Sequence, residues 1–150
     1  MNKFILVILL FLPALSNAVD WIDLGKSNDK QLQVYMDSDS IKYSNVRVIG
    51  NSSRWQSTTS TPEYISAVFQ FTYINNNPMR KKGMYYTKQQ WIISCENETY
   101  FAKSEVDYGF KDELISSSRS PKSILSSGDF EYAFPETVAS NNISAACSYI

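Results

Sequence analysis

Apolar and polar positions alternate along most of the chain, the pattern of strands with one wet and one dry face. Residues 19–25 form a first short strand, stopped by Gly25 and the polar run 26–30. Residues 32–37 alternate cleanly, so the two should pair as a hairpin. Asp37, Ser38, Asp39 and Ser40 offer several capping side chains, which predicts a single helical turn over 37–42. Residues 43–49 return to strand, with Val46 and Val48 on one face. Residues 50–62 are a Ser/Thr-rich connection carrying Arg54 and Trp55, and Trp55 is expected to fold back over the sheet.

Residues 63–74 give the clearest strand, with Ile65, Ala67, Phe69, Phe71 and Tyr73 sharing a face. Asn, Pro and Gly make 75–83 a turn. The strand over 84–95 aligns Thr87, Gln89, Trp91, Ile93 and Cys95, and Trp21 and Trp91 are both expected in the core. In the strand over 99–108, Tyr100, Ala102, Ser104, Val106 and Tyr108 should face one way, and Phe101, Lys103, Glu105 and Asp107 the other. Residues 111–128 are Ser-rich and predict a connection without regular structure, followed by a short strand near 130–134. A last helix should run over 135–148, with Pro135 in its first turn and Ala139, Ile143, Ala146, Cys147 and Ile150 on one stripe.

The first 18 residues have the layout of an export signal. Lys3 precedes an apolar run to Leu15, and Ser16 and Ala18 set small residues around a cleavage point before Val19. Export makes the two cysteines, Cys95 and Cys147, readable as one disulfide, the alternative being two buried free thiols. The fold class expected is therefore α+β: an antiparallel sheet with a C-terminal helix tied to it by a Cys95–Cys147 bridge, in one domain spanning 19–150. Hydrophobic residues at 43% and aromatics at 14% suffice for a core. A net charge of −1 produces no long-range field and weighs against nucleic acid as a partner.

The chain has no histidine, so Ser-His and Cys-His nucleophilic sites are excluded, and the spacings of a metal site are absent. Glu96 with Glu98, and Glu105 with Asp107, are the carboxylate pairs available for acid–base work. The first pair falls on a turn and the second on the polar side of a strand, so no enzyme is expected. The densest charge is Arg80-Lys81-Lys82, followed closely by Tyr85 and Tyr86. Cations beside tyrosines suit a binding surface for an acidic partner, and these five residues are the candidate ligand site.

Several short motifs resemble the surface-adhesin protein E family of small exported Gram-negative bacterial proteins. They are Trp21…Leu24-Gly25, then Val34-Tyr35-Met36-Asp37…Ser40-Ile41-Lys42, a strand ending in Cys95, an aromatic strand from Tyr100, and a Pro-led terminal helix carrying Cys147. The resemblance implies the same sheet, helix and disulfide. It further implies non-enzymatic, adhesin-type binding of host extracellular matrix proteins or cell surfaces, and it is compatible with a homodimer. Haem binding is also attributed to the family, but without histidine no cofactor is assigned here. No cysteine stands at the cleavage point to take a lipid, so periplasm, outer surface and extracellular medium all remain open. The alternative function is a periplasmic envelope-maintenance or inhibitor-type protein that holds an endogenous partner.

Overall fold

The structure, a computed structural model, describes residues 19–49 and 64–150. The expected export signal (1–18) and the connection with Arg54 and Trp55 lie outside the described residues. Strands β1 (Trp21–Lys26) and β2 (Leu32–Tyr43) form the expected antiparallel hairpin. Asp29 closes its turn by accepting from the Ser27 hydroxyl at 2.6 Å and the Gln31 amide at 3.0 Å.

The helical turn expected at 37–42 does not form; β2 continues through it, with the ladder to the next strand interrupted between Asp37 and Lys42. The capping side chains bridge that gap instead. Ser40 donates to the Asp37 carbonyl at 2.6 Å and accepts from the Val68 amide at 2.8 Å. The next strand is shorter than expected: β3 covers only Arg47–Ile49 and pairs in parallel with β8 (Ile124–Ser126) as a separate two-stranded sheet.

β4 (Tyr64–Tyr73) lies between β2 and β5 (Tyr86–Ser94), and β6 (Thr99–Tyr108) follows on the far side of β5. The turn expected over 75–83 holds one helical turn, α1 (Pro78–Lys81). The stretch expected to be irregular holds two strands: β7 (Leu114–Arg119) pairs with β6, and β8 pairs with β3. Serine satisfies either face of a strand, so Ser116-Ser117-Ser118 carries no alternation to read. β9 (Glu131–Tyr132) adds to the other end of β6. The main sheet thus runs β1-β2-β4-β5-β6-β7, antiparallel throughout.

One irregularity changes which side chains face the helix. Gln90 pairs with Ser104 but Trp91 pairs with Ala102, so Lys103 is an extra residue and alternation reverses across it. Tyr100 stacks on Trp91 with centroids 4.2 Å apart, whereas Glu105 and Asp107 oppose Gln89 and Thr87 on that same helix-facing side. The expectation of Glu105 and Asp107 on a wet face is therefore corrected, and Asp107 is only 7% exposed.

The terminal helix α2 (Val138–Cys147) starts later than expected. Thr137 is its cap, accepting from the Ser140 amide at 3.2 Å, while Pro135 lies in the preceding turn and Glu136 takes φ of 62°. Ile143 and Ala146 enter the core with Met36, Ile65, Ala67, Phe69, Trp91 and Ile93, and Ala139 and Cys147 pack at its margin. Ile150, past the helix end, is 53% exposed and leaves the stripe. Cys95 and Cys147 form the expected disulfide, their Cα atoms 5.9 Å apart. The opposite face has a smaller cluster, where Phe130 approaches Tyr64 and Phe101 at 5.3 and 6.2 Å, with Ile92 and Leu125 buried outside the helix-side core. Trp21 is half-buried rather than in the core, because it shares the face of Asp23 and Tyr35, away from Ile22 and Met36.

Candidate functional site

The basic run sits on α1, at the end of the sheet where β4 turns into β5. Asn77 fixes that turn by accepting from the Met79 amide at 2.8 Å, and Pro78 supplies the preset φ of a first helical position. Gly83 then reverses the chain with φ of +88°, which a side chain would strain. The reversal returns the chain so that the Arg80 guanidinium lies 3.4 Å above the Tyr85 ring. Lys81 and Lys82 are exposed on the same turn.

Tyr85 is held at the sheet end by its amide, which donates to the Tyr108 carbonyl at 2.8 Å. Its ring meets that of Phe110 at 5.4 Å, and the Lys111 ammonium stands 5.5 Å over Phe110. Arg80, Tyr85 and Phe110 therefore make one column of cation and rings, with Lys111 over Phe110 and the exposed Lys81 and Lys82 next to Arg80 in the chain. Phe110 is 59% exposed, in a tight turn where Lys111 and Asp112 take φ of 54° and 63°. Neither Phe110 nor Lys111 was among the sequence candidates: they belong to the β6–β7 connection, and adjacency across two turns leaves no mark in either segment.

Tyr86 goes to the other face. It stacks on Tyr108 at 4.6 Å, and its hydroxyl donates to Asp112 at 2.7 Å. Burial first, and then the hydrogen bond and charge of Asp112, push its phenol well above the ordinary range. Lys88 stands 5.1–5.7 Å from the rings of Trp21, Tyr86 and Tyr108. Strand alternation thus parts two adjacent tyrosines that the sequence grouped: Tyr85 joins Arg80, and Tyr86 joins Lys88. Both clusters are cationic and aromatic, and both can hold an anionic group against a ring edge.

Among the described residues, no three Asp, Glu or Cys side chains gather as a metal site. No helix among them is long and apolar enough to cross a membrane.

No family model and no curated protein matches the chain. Among solved structures, it is similar to crystal form II of Haemophilus influenzae protein E at 15% identity and a TM-score of 0.48, covering 89% of this chain and 94% of that one. A second structure of Haemophilus influenzae protein E matches at 17% identity and a TM-score of 0.45, covering 77% and 76%. A selenomethionine form of the same protein matches at 14% identity and 0.48, covering 87% and 91%.

Proposed function

We propose that residues 19–150 form one exported, non-enzymatic binding domain that attaches to acidic surfaces of extracellular matrix proteins or host cells. The observation that carries this reading is the Arg80–Tyr85–Phe110 column with Lys81, Lys82 and Lys111 beside it. Arg80 is pre-oriented by its ring, so little side-chain freedom is lost on binding. Phe110 offers exposed apolar area beside the Lys111 ammonium and the Tyr85 ring that Arg80 covers, and interface anchors combine apolar area with charge. The lysines around the column supply attraction that salt should screen.

The test is binding of the purified protein to an immobilised panel of matrix proteins, with Arg80, Lys81 and Lys82 all changed to Glu. Affinity for any member bound by the wild type should fall at least about tenfold, and the salt dependence of what remains should flatten. Phe110→Ala, which keeps every charge, should weaken binding about three- to tenfold with the salt slope unchanged. Wild-type affinity in the triple variant would overturn the assignment of this end as the binding surface.

A further inference from the structure

A cleft of about 300 Å³ lies between the helix-facing side of the sheet and the first turn of α2, at the lower end of the size of small-molecule sites. Phe71, Trp91 and Tyr100 give it aromatic walls, Val138 lies on the helix side, and Tyr73, Thr87 and Gln89 are its polar lining. The direction of the hydrogen bonds decides what such a cleft can hold. Asp107, as a carboxylate, only accepts: it takes the Thr87 hydroxyl at 2.6 Å and the Ser116 hydroxyl at 2.5 Å. With the Thr87 proton committed there, Tyr73 must be the donor in its 2.9 Å bond to Thr87.

The same sense runs through the remaining groups. The Trp91 indole donates to Gln89 Oε1 at 2.8 Å, and Gln89 Nε2 donates to Glu105 at 2.5 Å. Tyr100 donates to Glu131 at 2.9 Å. Every hydroxyl and indole proton of the lining is committed, along chains that end on three carboxylates. What remains for a ligand is lone pairs, the outer ring faces of Phe71 and Tyr100, one amide hydrogen of Gln89 and the first backbone amides of α2, at Val138 and Ala139. Among the described residues, no lysine or arginine lines the cleft.

We infer that this cleft binds a small organic cation of the alkylammonium class. Ring faces attract a cation through their quadrupole, most strongly where water is excluded. The carboxylates of Glu105, Asp107 and Glu131 add negative potential one hydrogen bond behind the lining. An anion could take the Gln89 amide and the first amides of α2, but it would face the three carboxylates behind the other lining groups. A hard metal ion needs converging oxygens, and no group of three carboxylates converges among the described residues. A weakly hydrated ammonium carrying methyl groups matches both the apolar walls and the charge. The inference is independent of the Arg80 end, whose chemistry is of opposite sign.

The experiment is calorimetric titration of the purified, disulfide-bonded protein with choline chloride and with its neutral isostere 3,3-dimethyl-1-butanol, at fixed ionic strength. Choline should bind with a millimolar or lower Kd, and the alcohol about threefold more weakly, the factor expected of a cation–ring contact in an open cleft. Glu105→Gln, which keeps the shape and the acceptor, should weaken choline about threefold or more and leave the alcohol unchanged. Equal affinity for the two probes would overturn the proposal in favour of a merely apolar cleft. So would heat from neither probe up to about 50 mM, or a Glu105→Gln protein as selective for choline as the wild type.

Discussion

Removing the Asp107 carboxylate would leave the hydroxyls of Thr87 and Ser116 without their acceptor at a largely water-excluded point of the sheet. A buried polar group left unpaired costs about 1–3 kcal/mol. Asp107→Ala should therefore lower stability by about 2–4 kcal/mol, read from the midpoint of urea unfolding. Ser116→Ala, on the exposed edge strand, should cost only about 1 kcal/mol. Equal midpoints for the Asp107 variant and the wild type would show that the hydroxyls find other partners. Tyr100 carries a pH dependence of definite sign. Burial, then the hydrogen bond to Glu131 and its charge, push the phenol up to about 12 from an ordinary 10.0. The raised value means the folded state holds the proton more tightly than the unfolded chain. That stabilisation is complete below about pH 10 and is lost as pH rises toward about 12. Unfolding midpoints at pH 9 and 11.5 should differ more in the wild type than in Tyr100→Phe, and equal differences would contradict the shift.

At the scale of elements, α2 has ten residues, fewer than an isolated helix needs to persist in water. It persists by docking Ile143 and Ala146 into the sheet and through the bridge from Cys147 to Cys95, 52 residues apart. Closing a loop of that length contributes about 4 kcal/mol in the chain-entropy account. Cys147→Ser should accordingly lower Tm by roughly 10–20 °C, followed by circular dichroism; an unchanged Tm would mean that packing alone holds the helix. The disulfide, the antiparallel sheet and the docking stripe were legible because each rests on a strong local signal: two cysteines behind the expected export signal, period two, and period near 3.6. β4 shows this best, since each of Ile65, Ala67, Phe69 and Phe71 reports the same face. The bulge at Lys103 was not legible, because one extra residue on one strand shows only in the pairing with its neighbour. The misplacement of Glu105 and Asp107 followed from it. β2 beyond Asp37 was hidden for a different reason: Asp and Ser side chains that cap helices serve equally well to fill a gap in a ladder.

For the whole molecule, the candidate site was half legible. Arg80 and Tyr85 come together because a single tight turn separates them, whereas Phe110 reaches Tyr85, and Lys88 reaches Trp21 and Tyr108, only through the order of strands in the sheet. The cationic end, at α1 and the β6–β7 turn, adjoins the cleft under α2, where the Tyr73 amide donates to the Tyr85 carbonyl at 2.9 Å. The proposed adhesin-type role requires that cationic end to meet its ligand outside the cell. The most direct measurement is protease accessibility of the folded protein in intact cells, beside cells with a permeabilised outer membrane. A protein working at the surface is predicted to be cleaved in both, with trypsin cutting first at the exposed Lys81 and Lys82. Protection in intact cells and cleavage only after permeabilisation would contradict that role and turn the search to a periplasmic partner.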